Sequence, residues 1–108
     1  IRVDRHTVSV SKVSARSNAS SGRDDSFQFS AVLGPDSLQA EVFAEAGGLV
    51  QSAVDGYNVL LLACGPHQGG KTHTLVGDAT DSRGLAPRMG DELFAIRDRD
   101  AWRANLEV

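Results

Sequence analysis

The chain has 108 residues, with 11 Lys plus Arg against 14 Asp plus Glu and a formal net charge of −3. Its longest apolar run, residues 59–64, falls far short of the roughly 20 residues that a membrane helix needs. The single cysteine, Cys64, excludes an internal disulfide framework and a cysteine-based zinc cluster, and the mild acidity argues against a dedicated nucleic-acid binder.

Residues 1–13 read as strand, because Val8 and Val10 alternate with Ser9 and Ser11 and Val13 ends the run. Residues 14–26 are rich in Ser, Arg, Asn and Gly and read as a solvated loop. Phe27, Phe29 and Val32 form a short second strand of period two. The run Gly34-Pro35-Asp36-Ser37 then breaks the chain and offers Asp36 or Ser37 as a helix cap. From there Leu38, Val42, Ala46, Leu49 or Val50, and Ala53 or Val54 recur at helical spacing, through the weak step Gly47-Gly48, until Gly56 ends the helix. Glu41, Glu45 and Asp55 read as its solvated face.

Residues 59–63 are continuously apolar, the pattern of a strand buried on both faces in a parallel sheet. Residues 71–76 read as the first turns of a helix, 77–84 as a polar loop, and 85–96 as a second helical stretch. Leu85, Met89, Leu93 and Ile96 share one face of that stretch, and Pro87 sits near its start. Residues 97–103 read as a charged turn and 104–108 as the start of another strand.

The chemistry concentrates in residues 65–72, which satisfy G-x-x-x-x-G-K-[ST]. Gly65 lets the chain turn sharply out of the strand, and Gly70 lets backbone N–H groups approach a phosphate closely. Gln68, Gly69, Gly70, Lys71 and Thr72 supply donors, Lys71 adds positive charge near the β- and γ-phosphates, and the Thr72 hydroxyl is placed to ligand Mg²⁺. An apolar strand before this loop and a helix after it are the context that the motif requires. Pro66 removes one N–H, but ahead of the phosphate-facing donors. Cys64 reads as a small core residue, Trp102 as a packing residue, and His67 as an exposed loop histidine. His6 and His73 have no ligand spacing.

Residues 27–94 resemble the first third of a kinesin motor domain. Phe27-Gln28-Phe29 with Val32 is similar to that family's F-x-F-D-x-V strand, with Ser30 in place of Asp. Gln39, Val42 and Phe43 are similar to its Q-x-x-V-F helix start, and Gly56-Tyr57-Asn58 to its helix-to-strand junction. The run 63–65 sits where the family has Ala-Tyr-Gly, and 70–77 resembles G-K-T-x-T-M-x-G. Gly84-Leu85-Ala86-Pro87-Arg88, with Leu93-Phe94 beyond, resembles G-I-I-P-R followed by (I/L)-F. Pro66 and His67 replace the family's Gln-Thr.

The resemblance implies an α/β phosphate-loop nucleoside-triphosphatase fold, a partial kinesin-type motor domain whose central, mostly parallel sheet and flanking helices are incomplete here. It divides the chain into a strand and variable loop (1–26), a β-α-β unit with the phosphate loop (27–77), and a loop, helix and next strand (78–108). It implies ATP and Mg²⁺ as cofactors, and microtubules as partner through parts of the motor outside these residues, in the cytoplasm and cytoskeleton; neither nucleic acid nor membrane is expected as a partner. The adenine-contacting R-x-R-P segment and the two switch motifs of the family do not occur in these 108 residues. No catalytic residue is therefore expected within them, and a chain that starts on Ile1 reads as an excised piece of a larger ATPase, marginally stable alone. Two alternatives are a catalytically degenerate kinesin-like scaffold and an unrelated phosphate-loop phosphoryl transferase.

Overall fold

A computed structural model describes residues 1–11, 24–79 and 82–106. The chain divides into two compact units, Ile1–Ser37 and Leu38–Val108.

The first unit is a three-stranded antiparallel sheet of β1 (Arg2–Val3), β2 (Thr7–Ser11) and β3 (Asp24–Gln28), in that order. The expected single strand over 1–13 is thus a hairpin. Asp4, Arg5 and His6 make its turn, closed by Asp4 N–H donating to the Thr7 carbonyl (2.8 Å) and by the Asp4 carboxylate accepting from Arg5 N–H (2.7 Å). Val13 lies outside the described residues. So does most of the expected loop over 14–26, of which Asp24, Asp25 and Ser26 belong to β3. In the β2–β3 register Val8 faces Phe27 and Ser9 faces Ser26, whose hydroxyls are 2.9 Å apart. Phe29 lies just past β3 and donates its N–H to the His6 carbonyl (2.9 Å).

The second unit is helical: α1 (Gln39–Ala46), α2 (Gly48–Val54), α3 (Lys71–Leu75) and α4 (Leu85–Leu106). The cap of α1 is Leu38 rather than Asp36 or Ser37. Its N–H is satisfied by the Glu41 carboxylate at 2.7 Å, so an acid of the first turn does the work expected of the residues before it. The expected continuous helix is interrupted at Gly47, which stays in right-handed helical geometry. α2 ends as expected at glycine: Gly56 takes φ +98°, Tyr57 N–H reaches the Ser52 carbonyl, and Gly56 N–H reaches the Ala53 carbonyl, each at 3.1 Å. These two bonds satisfy carbonyls that the helix end would leave bare.

Buried apolar residues come from two helices, Val50 of α2 and Leu85 and Ile96 of α4. α4 runs through the expected turn over 97–103 and on to Leu106, into the strand expected over 104–108, whose residues 107 and 108 lie outside the described residues. No glycine or proline interrupts that stretch, and neighbouring side chains support the helix. The Arg97 guanidinium lies 5.0 Å over the Phe94 ring, three residues back on the same face. Trp102 is exposed rather than packed.

Residues 59–63 depart furthest from expectation. They join no strand of the described residues, among which the parallel sheet implied by the resemblance is not present. Their exposure alternates, 38% at Val59, 79% at Leu60, 36% at Leu61 and 76% at Leu62, so only one face is covered. Val59 and Leu61 line an apolar groove with residues of α2 and α4, whereas Leu60 and Leu62 are the more exposed pair. A strand exists only against a neighbour, and no described strand lies beside this segment.

Candidate functional site

The extended segment delivers the chain to residues 65–70, and α3 starts directly behind them at Lys71. Pro66 accepts a bond from Gly69 N–H (3.0 Å), which closes a tight turn over 66–69. Gln68 sits inside that turn at φ +58°, a left-handed conformation that costs an L-residue about 1–2 kcal/mol. Gly70 caps α3 at φ +90° with open space where a Cβ would be, and its carbonyl accepts the first helical bond, from Thr74 N–H at 2.9 Å. The loop glycine therefore meets two demands at once, a left-handed backbone and an uncovered approach to the amides behind it.

The structure brings all the predicted loop residues together. The N–H groups of Gln68, Gly70, Lys71 and Thr72 have no hydrogen-bond partner among the described residues, whereas that of Gly69 is spent on Pro66. Lys71 folds back over the loop: its Nζ donates to the Gly65 carbonyl at 2.8 Å and the Pro66 carbonyl at 2.9 Å. The ammonium is thus held above the same turn whose amides are free. Free amides beside a positive charge suit an anion with several acceptor oxygens. The Thr72 side chain is exposed one residue further along.

Beneath the loop lies a cavity of about 290 Å³, lined by apolar residues 61–63 on one side and by Gly69, Gly70 and Lys71 on another. Cys64 lines it too and is exposed, so it is not the core residue expected from its position at the end of an apolar run. No described strand closes over that side chain. His6 lies in the sheet unit, its Nδ1–H donating to the Ser30 carbonyl at 2.6 Å, and His67 is exposed. Among the described residues no group of three or more His, Cys, Asp or Glu could hold a metal ion. None of the described helices is long and apolar enough to cross a membrane.

Behind α3 the chain is fastened tightly. Gly77 and Arg83 form an isolated antiparallel bridge, Asp78 N–H donates to the Ser82 carbonyl (3.0 Å), and Gly84 N–H donates to the Val76 carbonyl (2.9 Å). At the start of α4, Pro87 has no N–H to offer the Arg83 carbonyl; Arg88 Nε–H takes that acceptor instead, at 2.7 Å. The Arg83 guanidinium in turn pairs with Asp91.

Residues 2–108 match the kinesin motor domain, and the chain belongs to that family. It is 47% identical over 74 residues to the kinesin-like protein KIN-14L of Oryza sativa subsp. japonica, covering 68% of this chain and 6% of the relative. It is 38% identical over 92 residues to the kinesin-like protein KIN-14M of Arabidopsis thaliana, covering 81% of this chain and 12% of the relative. It is 37% identical over 91 residues to the protein claret segregational of Drosophila melanogaster, covering 84% of this chain and 13% of that protein. The chain therefore spans only a small part of the length of these relatives. The chain holds a small antiparallel sheet in one unit and helices in the other, which is consistent with an α/β class.

Proposed function

We propose that this chain carries the nucleotide-binding part of a kinesin-like microtubule motor, a phosphate-loop nucleoside triphosphatase whose whole protein couples ATP hydrolysis to movement along microtubules. The observation that carries this reading is the loop itself. Four unpartnered amides and the Lys71 ammonium surround one turn, held in register by a left-handed Gly70. Family membership supplies the motor reading.

In this reading the amides of Gln68, Gly70, Lys71 and Thr72 donate to the β- and γ-phosphates of ATP, and Gly65 and Gly69 shape the turn. Lys71 exchanges the carbonyls of Gly65 and Pro66 for phosphate oxygens, which are stronger acceptors because they are charged. A magnesium ion fits the donors present. Mg²⁺ keeps most of its waters and uses few protein ligands beside the phosphates, so one exposed hydroxyl, that of Thr72, suffices. When bound there, the ion would neutralise phosphate charge. Contact with the microtubule and positioning of the attacking water belong to parts of a motor that these residues do not contain.

Removing the ammonium tests the reading. In the full-length protein Lys71→Ala is expected to weaken ATP binding and reduce microtubule-stimulated ATPase at least tenfold. Unchanged turnover would overturn the role of Lys71.

A second reading is favoured by Pro66 and His67, which stand where the family has Gln-Thr: a kinesin-like protein that binds microtubules without turnover. The same ATPase assay on the unmodified protein separates the two, since strong stimulation by microtubules removes the second.

A further inference from the structure

Gln39 opens α1, yet its side chain serves two other parts of the helical unit. Its Nε2 donates to the His73 carbonyl at 2.7 Å and reaches the Ser82 carbonyl at 3.5 Å. Both partners are acceptors, so the amide has one workable orientation; reversed, its oxygen would face two oxygens. In the orientation present, Oε1 is shut away from solvent and has no hydrogen-bond partner. Burying an unpaired acceptor is unfavourable, so the donated bonds are what hold the amide in place.

The two carbonyls mark the far side of the loop's support. His73 lies within α3; the Ser82 carbonyl also accepts from Asp78 N–H, and Gly84 N–H reaches the carbonyl of Val76, the residue that caps α3. α3 has five residues, too few for a helix to hold itself. Its first two residues are Lys71 and Thr72, so any shift of α3 shifts both. Its described ties run through the loop, through α4, and through Gln39 to α1.

We propose that Gln39 is a positioning residue for the phosphate loop, its amide anchoring His73 of α3 and Ser82 to α1 so that Lys71 and Thr72 hold their place; this rests on the nucleotide-binding reading of residues 65–72. Gln39 does not touch nucleotide. It acts through the His73 carbonyl. Gln39 is the glutamine of the Q-x-x-V-F pattern.

The test uses the full-length protein, ADP carrying a fluorescent ribose label together with Mg²⁺, and amide hydrogen exchange. Gln39→Met keeps the length and loses both donors. Gln39→Glu also loses them, but places a negative charge in the first turn of α1, where the helix dipole favours it. For both variants labelled ADP is expected to bind about tenfold more weakly, with faster exchange at residues 74–77 and 84 and unchanged exchange across α2. ADP affinity within twofold of the unmodified protein in both variants overturns the proposal. So does exchange that rises equally in α2, which marks a general loss of stability. Lys71→Ala separates the two levels: if it leaves ADP affinity unchanged, the nucleotide reading itself falls, whereas a loss with Lys71→Ala and none with Gln39→Met removes only the role of Gln39.

Discussion

Replacing Gly84 by alanine is the sharpest test of the packing behind the loop. Gly84 is buried, and a Cβ built on it would lie 2.6 Å from the carbonyl carbons of Leu75 and Val76 and 2.7 Å from the Thr74 carbonyl oxygen. All three are backbone atoms, so no side chain can swing aside, and such contacts under 3.0 Å are essentially never seen. The chain must separate by several tenths of an ångström, which strains or breaks the bond from Gly84 N–H to the Val76 carbonyl at 2.9 Å. Overpacking costs about 1–3 kcal/mol and the hydrogen bond about 1 kcal/mol more, so a loss of roughly 3 kcal/mol is expected. Gly90, inside α4, provides the opposite case. A Cβ there meets nothing within 4 Å, and Gly90→Ala is expected to stabilise α4 by about 0.5–1 kcal/mol. Hydrogen exchange in the full-length protein reads both. Amides of 76 and 84 should exchange about 100-fold faster in Gly84→Ala, and amides of the first turns of α4 should be slower in Gly90→Ala. Equal protection in the two variants would refute the steric argument.

Other substitutions probe the helix ends. Glu41→Ala removes the carboxylate that accepts Leu38 N–H, and should cost about 0.5–1 kcal/mol, seen as faster exchange in the first turn of α1. Glu41→Gln keeps an acceptor oxygen and should recover most of that loss. Gly56→Ala places a Cβ at φ +98°, and should destabilise the end of α2 by about 1–2 kcal/mol by the same readout. A change below 0.3 kcal/mol would show that the Gly56 turn is not held as described.

Much of the site could be read from residue order because its demands are local. A glycine that must be left-handed, a lysine and a hydroxyl at the next two positions, and the helix start they share lie within eight residues. Gly56 was equally legible, since a left-handed residue after a helix is a local requirement. The helix cap was misplaced for a related reason: Asp36 and Ser37 have the right chemistry, but the backbone group needing a partner was Leu38 N–H, and Glu41 reached it first. The end of α4 is not legible from residue type, because runs of charge suit a turn and an exposed helix equally well.

The family resemblance and the phosphate-loop pattern are legible in the sequence by itself, because both depend on residue type at short fixed spacing. Tertiary structure alone decided the rest. Residues 59–63 have the composition of a doubly buried strand, yet pairing is a property of two segments, and only one face is covered here. Gly84 carries no sign of its crowding until the backbone of residues 74–76 lies against it. Gln39 stands 34 residues from the His73 carbonyl that it holds. No spacing rule connects them, since the fold brings together a donor and an acceptor that the chain keeps apart.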